Sequence, residues 1–346
     1  MSARRVDLLV AGGGPAGLVT ALHAARAGLD VEVWEPRGGT VDKACGEGLM
    51  PGALAELHRL GVDPAGHALR GIRYTAGTTS VDAAFRRGPG RGIRRTTLHD
   101  ALREAALGAG ARIVPRRVGA FTQDDTGVLV DGVRAAYLVG ADGLHSSVRR
   151  AAGLDLPAAP RPRFGLRQHF RVAPWSDLVE VHWAAHAEGY VTPVAPDVVG
   201  VAVLAATGGG YDERLRQLPE LADRLRGAEP VSEVRGAGPL HQRVRRRVAG
   251  RVVLVGDAAG YVDALTGEGL ALAFAQARAA VAAMVDDDPE RYERDYLRVT
   301  RRYRWLTTAL LAATRPAVGR RVLVPAARLL PGVFARSVDA LARPVD

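Results

Sequence analysis

A glycine-rich turn between an apolar run and a helix-like segment constrains this chain more than any other feature of its sequence. The run from Val6 to Ala11 is short and mostly apolar, as in a buried parallel strand. Gly12, Gly14 and Gly17 follow with the spacing G-x-G-x-x-G, and residues 16–27 continue as a predicted helix. In that spacing the first glycine allows a tight turn, the second lets the backbone approach a pyrophosphate, and the third lets the helix pack on the strand. The helix N-terminus offers free N–H groups to a phosphate.

A second predicted strand, DVEVWE, ends in an acid at the distance that a bound ribose requires. Glu35 lies about 20 residues beyond the glycines, where a ribose hydroxyl needs an acceptor. A glycine turn without a ligand does not explain an acid in this register. Strand, turn, helix, strand and acid together predict a dinucleotide-binding unit.

Size and composition bound the rest of the chain. Its 346 residues suggest two lobes, and its single cysteine excludes an internal disulfide and a cysteine-rich zinc site. No metal cluster stands out, so no metal is predicted. The net charge of +10 comes from scattered arginines with only 5% aromatic residues, which argues against a nucleic-acid partner. No run approaches the roughly 20 apolar residues of a membrane span and the N-terminus lacks a signal-peptide pattern, so a cytoplasmic location is predicted.

Two later segments repeat the pattern of an apolar strand that ends in a turn of glycine and aspartate. The first, YLVGADGLHSSVRRAAG, carries Asp142 and Gly143. The second begins RVVLVGDAAG and carries Gly256 and Asp257, then the turn 267–269 and a long alanine-rich helix. The three strand–turn segments, far apart in the sequence, carry a family resemblance.

Through these segments the chain resembles the flavoprotein monooxygenases of the para-hydroxybenzoate hydroxylase superfamily, from about Val6 to Met284. It is also similar to the geranylgeranyl reductases and flavin halogenases that share this scaffold. The resemblance implies an α/β fold: a Rossmann-like FAD-binding domain of the glutathione reductase type, an antiparallel-sheet substrate domain and C-terminal helices. Residues 1–70, 92–160 and 245–288 are predicted to form the FAD-binding domain, 71–91 and 161–244 the substrate domain, and 289–346 the helical region.

The resemblance also implies which residues hold FAD, which is predicted to bind non-covalently. The glycine turn matches the pyrophosphate site, Glu35 the ribose ligand, and Asp142 with Gly143 a turn that touches both FAD and NAD(P)H. For Asp142 a helix cap is the simpler alternative. The predicted cofactor-binding set is Gly12, Gly14, Pro15, Ala16, Gly17, Glu35, Lys43, Arg95, Val118, Asp142, Gly143, Gly256, Asp257, Gly267, Glu268, Gly269 and Leu270.

The loop DKACGEGLMP holds the only lysine of the chain, Lys43, and its only cysteine, Cys45. In the family this crossing lies beside the flavin, so the resemblance implies that Lys43 contacts FAD, and a solvated loop lysine is the alternative. Cys45 is predicted to be a small buried residue rather than a nucleophile, because no acid–base partner is visible in the sequence. CGEG is similar to a segment of the reductases. TGEG, with Ala264 where hydroxylases usually carry proline, is nearer to the reductase and halogenase branch.

Valine-rich segments such as FGLRQHFRV and LVEVHWAA alternate as in an antiparallel sheet with one packed face. In the family such a sheet roofs the flavin and forms the substrate cavity. His169, His182 and Tyr190 are candidates to line it, and a solvent-facing position is the equal alternative for each. No catalytic residue is identified, because the chemistry would belong to the flavin.

The chain after Pro289 mixes apolar and arginine-rich faces in predicted helices. A helical lid packed on the FAD domain is the favoured interpretation. An interfacial membrane contact is the alternative.

The leading functional interpretation is an NAD(P)H-dependent monooxygenase of secondary metabolism. It would use O2 and a C4a-(hydro)peroxyflavin to oxidise a hydrophobic aromatic or polyketide-like small molecule. NAD(P)H would visit transiently, since no second nicotinamide-type glycine motif is visible. Reduction of prenyl double bonds is the second interpretation, and halogenation is a third that lacks its W-x-W-x-I-P motif. A flavin-binding protein without turnover is the alternative of a different class. The sequence leaves the substrate, the choice of NADH or NADPH and the oligomeric state open.

Overall fold

The computed structural model describes residues 4–157, 162–206, 209–314 and 316–343. Within these ranges the α-helices are α1 (Pro15–Arg26), α2 (Pro51–Arg59), α3 (Arg95–Gly108), α4 (Ser147–Ala151), α5 (Tyr211–Leu215), α6 (Pro219–Arg224), α7 (Gly269–Val285), α8 (Arg291–Thr314), α9 (Ala317–Leu329) and α10 (Pro331–Ala342). The strands of the same ranges are β1 (Arg4–Ala11), β2 (Val31–Trp34), β3 (Gly48–Leu49), β4 (His67–Leu69), β5 (Gly71–Ala76), β6 (Thr79–Ala84), β7 (Gly90–Gly92), β8 (Arg112–Val114), β9 (Phe121–Asp124), β10 (Gly127–Val130), β11 (Val133–Gly140), β12 (Phe164–Arg171), β13 (Leu178–Trp183), β14 (Ala187–Ala195), β15 (Val198–Ala205), β16 (Glu229–Pro230), β17 (Arg235–Ala237), β18 (Val248–Ala249) and β19 (Val252–Leu254).

The first sheet is built on five parallel strands in the order β8–β2–β1–β11–β19. β18 extends one edge antiparallel to β19, and β10 with β9 forms an antiparallel extension of β11. Helix α1 packs against both α3 and α7. Leu9, Leu22 and Phe274 belong to one buried apolar cluster between these helices and the sheet. The carboxyl ends of β1, β2 and β11 therefore meet at one edge, where ligands bind in open parallel sheets.

The second sheet has the order β16–β12–β15–β14–β13–β5–β6. Its pairs are antiparallel except β13–β5, which is parallel. The predicted antiparallel sheet is therefore correct but for this pair. β5 belongs to a much earlier segment than β13, so no hairpin joins them, and a hairpin is what requires the antiparallel arrangement. One face of the sheet presents Tyr190, Ala202 and Leu204 to the rest of the molecule, and the other packs on α5 and α6.

The C-terminal helices divide between the two sheets. α8 packs on α7, whereas α9 and α10 pack on β6, and α9 also on β5. α8 therefore packs as the predicted lid on the FAD domain, and α10 also contacts α2 there. The inner residues Val324 and Phe334 instead join an apolar cluster with Tyr74 of the second sheet. A third, small antiparallel sheet has the order β3–β7–β4. The α/β fold with C-terminal helices is confirmed. Among the described residues no helix is both long and apolar enough to span a membrane.

Candidate functional site

A cleft of about 700 Å³ lies between the carboxyl ends of the parallel strands and the inner face of the second sheet. Its wall contains fifteen of the seventeen residues predicted from the sequence to bind a cofactor. The other two, Gly17 and Glu268, are not on the wall. Segments that are far apart in the sequence are thus brought around one cavity.

The glycine turn after β1 has the form that a pyrophosphate requires. Gly12 has φ +102°, and a Cβ there would lie 2.7 Å from the Ala141 carbonyl oxygen. A Cβ at Gly17 would lie 1.9 Å from the Gly12 carbonyl oxygen, so both positions need glycine for the protein alone. Gly14 differs, because a Cβ there would meet only the Arg95 guanidinium, at 3.7 Å. The space in front of Gly14, at the N-terminus of α1, is left open toward the cleft.

Glu35 lies at the end of β2 as an ionised acceptor. Its carboxylate accepts hydrogen bonds from the Gly13 N–H at 2.9 Å and from the backbone and guanidinium of Arg37. Burial acts to raise the pKa of Glu35, but the bonds from Arg37 and Gly13 outweigh it and lower the pKa below its usual range. These four bonds occupy the roughly four acceptor positions of a carboxylate, so a ribose diol would take the place of one of the Arg37 bonds. Arg37 was not predicted, although its place two residues after the acid was the available signal.

Asp142 has two roles on its two oxygens. One oxygen accepts from the backbone N–H of Ser147 at 2.7 Å, from the Ser147 hydroxyl at 3.0 Å and from the Val148 N–H at 3.2 Å, at the start of α4. The other oxygen is buried and lacks a hydrogen-bond partner among the described residues. The helix-cap interpretation therefore accounts for one oxygen and leaves an acceptor on the cleft wall for a ligand.

Arg95 brings a buried positive charge to the cleft wall at the start of α3. Its side chain is 7% exposed, and its Nε lacks a hydrogen-bond partner among the described residues. Burial lowers the pKa of Arg95, an effect that Cys45, Asp257, Glu47 and Asp42 partly offset. The Arg95 guanidinium lies beside Gly14 and can therefore bind a phosphate there as its anionic partner.

Residues 42–47, which we call the bridging loop, link the parallel sheet to the second sheet through hydrogen bonds. The Arg167 guanidinium on β12 donates to the Asp42 carboxylate and, at 3.2 Å, to the Lys43 carbonyl oxygen. The Thr192 hydroxyl donates to the Gly46 carbonyl oxygen at 2.7 Å. The loop is therefore held against the inner face of the second sheet.

Glu47 closes the bridging loop with a buried carboxylate. One oxygen lies 2.6 Å from His169 Nε2, and the other accepts from the Arg95 backbone N–H at 2.7 Å. Glu47 adopts φ +60°, a backbone conformation that is strained for residues other than glycine. Its two bonds therefore compensate for backbone strain as well as joining the lobes.

The loop places Lys43 and Cys45 on the cleft wall. A Cβ added to Gly143 would lie 2.6 Å from Lys43 Nζ, so the ammonium group sits against the turn that carries Asp142. Burial raises the pKa of the Cys45 thiol, although Arg95 acts in the opposite direction. The thiol is therefore protonated at neutral pH.

Two of the three candidate cavity residues lie elsewhere. His169 is buried beneath the bridging loop, where Glu47, Arg167 and Ser232 surround its ring. His182 pairs with Glu180 at 3.0 Å, on the face of β13 opposite to Val179, which lines the cleft. Tyr190 does line the cleft. The alternation of strands could indicate the face of His182, but it could not reveal the loop that covers His169.

Two turns near the start of α7 complete the wall. Gly256 has φ +61°, and a Cβ there would lie 2.7 Å from the Ala16 Cβ, which fixes the turn before Asp257 against α1. α7 begins at Gly269, so the positive end of its dipole faces the cleft. Glu268 instead has a buried carboxyl with one oxygen unpartnered among the described residues. Burial raises the pKa of Glu268 to about 8, against a smaller opposing effect of Arg302.

We expect the substitution Glu268→Gln to remove a pH dependence of the free energy of unfolding. The folded carboxyl keeps its proton up to about pH 8, while in the unfolded chain it titrates near 4.5. The unfolded state thus binds fewer protons between these values, so the free energy of unfolding falls as the pH rises. Between pH 6 and 8 this group contributes a fall of up to about 2.5 kcal/mol. Denaturant unfolding at pH 6 and at pH 8 measures the free energy of unfolding of both proteins. The value for the variant minus the value for the parent should rise by that amount from pH 6 to pH 8. The exposed control Glu104→Gln should show no such change, and a pH-independent difference for Glu268→Gln would contradict the assignment.

The described residues fit FAD. The open cradle at Gly14, the unpartnered Nε of Arg95 and the free oxygen of Asp142 supply a phosphate site, a cation and an acceptor on one wall. Arg95 and Lys43 would hold the phosphates, and Glu35 a ribose.

Comparison with known proteins agrees with this geometry. Residues 5–285 match the family model described as FAD binding domain. Digeranylgeranylglycerophospholipid reductase 1 of Methanothermobacter thermautotrophicus is 30% identical over 293 residues, which cover 77% of this chain and 73% of that protein. Menaquinone reductase of Mycolicibacterium smegmatis is 31% identical over 303 residues, with the same coverage of 77% and 73%.

Solved structures share the fold. A flavin-dependent brominase superposes with a TM-score of 0.83 at 17% identity, covering 99% of this chain and 94% of its own. Anhydrotetracycline hydroxylase from Streptomyces rimosus superposes with a TM-score of 0.75 at 23% identity, covering 98% and 76%. The chain therefore belongs to the FAD binding domain family and is a flavin oxidoreductase enzyme.

Proposed function

We propose that this enzyme reduces carbon–carbon double bonds in the prenyl chain of a lipid. The observation that carries the proposal is the apolar wall of the cleft opposite the cofactor residues. Val179, Ala202 and Leu204 line it from the second sheet, and Leu144 and Leu240 from neighbouring segments. A chain of isoprene units offers apolar surface and no charge, and its burial there is favourable by about 25 cal/mol per Å². The relatives named digeranylgeranylglycerophospholipid reductase support the same substrate class.

Addition of two hydrogens to a double bond needs a hydride and a proton. Bound FAD in its reduced form supplies the hydride. The cleft wall offers two protic side chains, Cys45 and Tyr190, and burial raises the pKa of both groups. Both groups are neutral and hold their protons at physiological pH. Delivery of the proton leaves a buried anion, which Arg95 would stabilise at Cys45 and Arg163 at Tyr190.

The test is an anaerobic incubation of the FAD-loaded protein with a geranylgeranyl glycerophospholipid and dithionite as electron donor. The product should gain two hydrogens per reduced bond by mass spectrometry. NADH and NADPH replace dithionite in a second series, because NAD(P)H as natural reductant is part of the proposal. An unchanged lipid, with full flavin content and reduction, would contradict the proposal. A gain of one oxygen in air from an aromatic substrate would instead support the monooxygenase interpretation, which stays a prediction, as does the cytoplasmic location.

We expect Lys43→Ala to raise the dissociation constant of FAD at least about tenfold. A charge-assisted hydrogen bond contributes about 1.5–3 kcal/mol, and Lys43 Nζ lies beside Gly143 on the cleft wall. Lys43→Arg keeps the charge and should lose less. Titration of the apoprotein with FAD, followed by flavin fluorescence, measures the difference. Unchanged affinity in Lys43→Ala would make this residue a solvated loop lysine.

A further inference from the structure

Five exposed apolar side chains form one surface on the last two helices. Val318, Val322 and Leu329 are 68%, 52% and 82% exposed, and Leu330 and Val333 at the turn into α10 are 59% and 57% exposed. Spacings of four and seven residues place the first three on one face of α9, since a helix repeats every 3.6 residues. We call these five residues the C-terminal patch. Large apolar side chains exposed together mark a surface that contacts something else.

The sequence of the C-terminal helices carries charge of one sign around the patch residues, although Arg298 and Arg320 are paired with Asp295 and Glu188. Between Asp295 and Asp339 the sequence contains no aspartate or glutamate and nine arginines, at 298, 301, 302, 304, 315, 320, 321, 328 and 336. The whole chain has a net charge of +10, so this segment accounts for most of the excess. Arg321 and Arg328 are exposed, and each precedes a residue of the patch, Val322 or Leu329. On the helix their positions border the apolar face along its length.

We propose that the C-terminal patch docks on an anionic lipid bilayer surface. An apolar helix face edged by arginines buries its aliphatic side chains at the level of the headgroups while the guanidinium groups meet lipid phosphates. A nucleic acid would use the charge but leave the aliphatic residues exposed to water. A bilayer uses both, which is why it is the partner that these helices fit.

The buried side of the same helices leads toward the cleft. Val324, Phe334 and Val338 pack in one apolar cluster with Leu204 and Tyr190, two residues of the cleft wall. Docking through the C-terminal patch would therefore hold the apolar end of the cleft against the membrane. The surface is defined by exposure and charge alone, so the proposal does not depend on the reaction that the enzyme catalyses.

The experiment is flotation of the FAD-loaded protein with vesicles of phosphatidylcholine alone or of phosphatidylcholine with phosphatidylglycerol. We expect partitioning to the anionic vesicles to be at least about tenfold stronger, and to fall as salt is raised. Leu329→Glu with Leu330→Glu should reduce it at least about tenfold, and Arg321→Glu with Arg328→Glu likewise. The controls Val234→Glu and Arg226→Glu place the same changes on exposed residues of the second lobe and should bind as the parent does.

Flavin content and circular dichroism establish that each variant is folded. Absence of binding by the parent protein would overturn the proposal. Binding that the arginine pair abolishes but the leucine pair leaves intact would also overturn it, because the surface would then be a general polyanion site. Equal binding to both kinds of vesicle would show that the arginines do not contribute to binding, which would also contradict the proposal.

Discussion

Gly14→Val is expected to give a folded protein that no longer retains FAD. The backbone at Gly14 is extended, with φ −73° and ψ 175°, and a Cβ there meets only the far end of Arg95 at an ordinary 3.7 Å. The valine side chain would instead occupy the space in front of α1 that the pyrophosphate needs. We expect the FAD dissociation constant to rise at least about 100-fold, about 2.7 kcal/mol. Flavin absorbance after purification, with circular dichroism as the check on folding, measures it.

Substitutions of two other glycines serve as comparisons for Gly14→Val. Gly38→Val changes a position with nothing within 4 Å of an added Cβ, so this control should keep its flavin. Gly17→Ala would press against the Gly12 carbonyl oxygen and should destabilise the fold itself. A yellow holoprotein with full flavin from Gly14→Val would overturn the placement of the pyrophosphate.

Glu47→Ala is expected to lower the free energy of unfolding by about 3 kcal/mol, because it leaves two buried groups without partners. The Glu47 carboxylate is the acceptor for the Arg95 backbone N–H and the partner of the His169 ring. Alanine at this position keeps the positive φ, so the backbone gains no relief. Chemical denaturation followed by fluorescence and circular dichroism measures the change.

Glu47→Gln is the matched variant. Its amide has one oxygen for two donors, the Arg95 backbone N–H and the Nε2–H of His169, because Nδ1 of that ring already accepts from Arg167. Glu47→Gln should therefore keep one of the two bonds and lose less stability than Glu47→Ala. The surface substitution Glu104→Ala should change the stability by less than about 0.5 kcal/mol. If Glu47→Ala also lowered the free energy of unfolding by less than about 0.5 kcal/mol, the other contacts of the bridging loop would be sufficient to hold it.

The parts of this molecule that the sequence predicts are those set by local spacing. The strand, the glycines at 12, 14 and 17 and the acid at 35 lie within one βαβ unit, where backbone geometry fixes which residue faces the ligand. The second sheet was predicted for the same reason, since a period of two is a local signal. The parallel pair β13–β5 was not, because pairing between distant segments leaves no trace in either strand.

The missed residues of the site are those whose partners are distant in the sequence. Glu47 and His169 are 122 positions apart, and neither has a pattern around it that signals a buried polar pair. The sequence therefore makes His169 a candidate for the cavity wall or for a solvent-facing position, whereas the bridging loop covers it. Glu268 lies in a turn of which three neighbours line the cleft, and only the packing of α7 and α8 decides that its own carboxyl does not.

The bridging loop makes opening of the cleft on that side a cooperative event. Its contacts to the second sheet are short and directional, and a hydrogen bond is lost once its donor and acceptor are more than about 3.5 Å apart, so a movement of about 1 Å is enough. A hinge rotation of the second sheet away from the parallel strands would thus break the Asp42, Gly46 and Glu47 contacts together rather than one after another. Since Lys43 belongs to the same short segment, such a rotation would also displace its ammonium group from Gly143. Motion of the second sheet and the position of the Lys43 ammonium group are mechanically coupled through six residues of backbone.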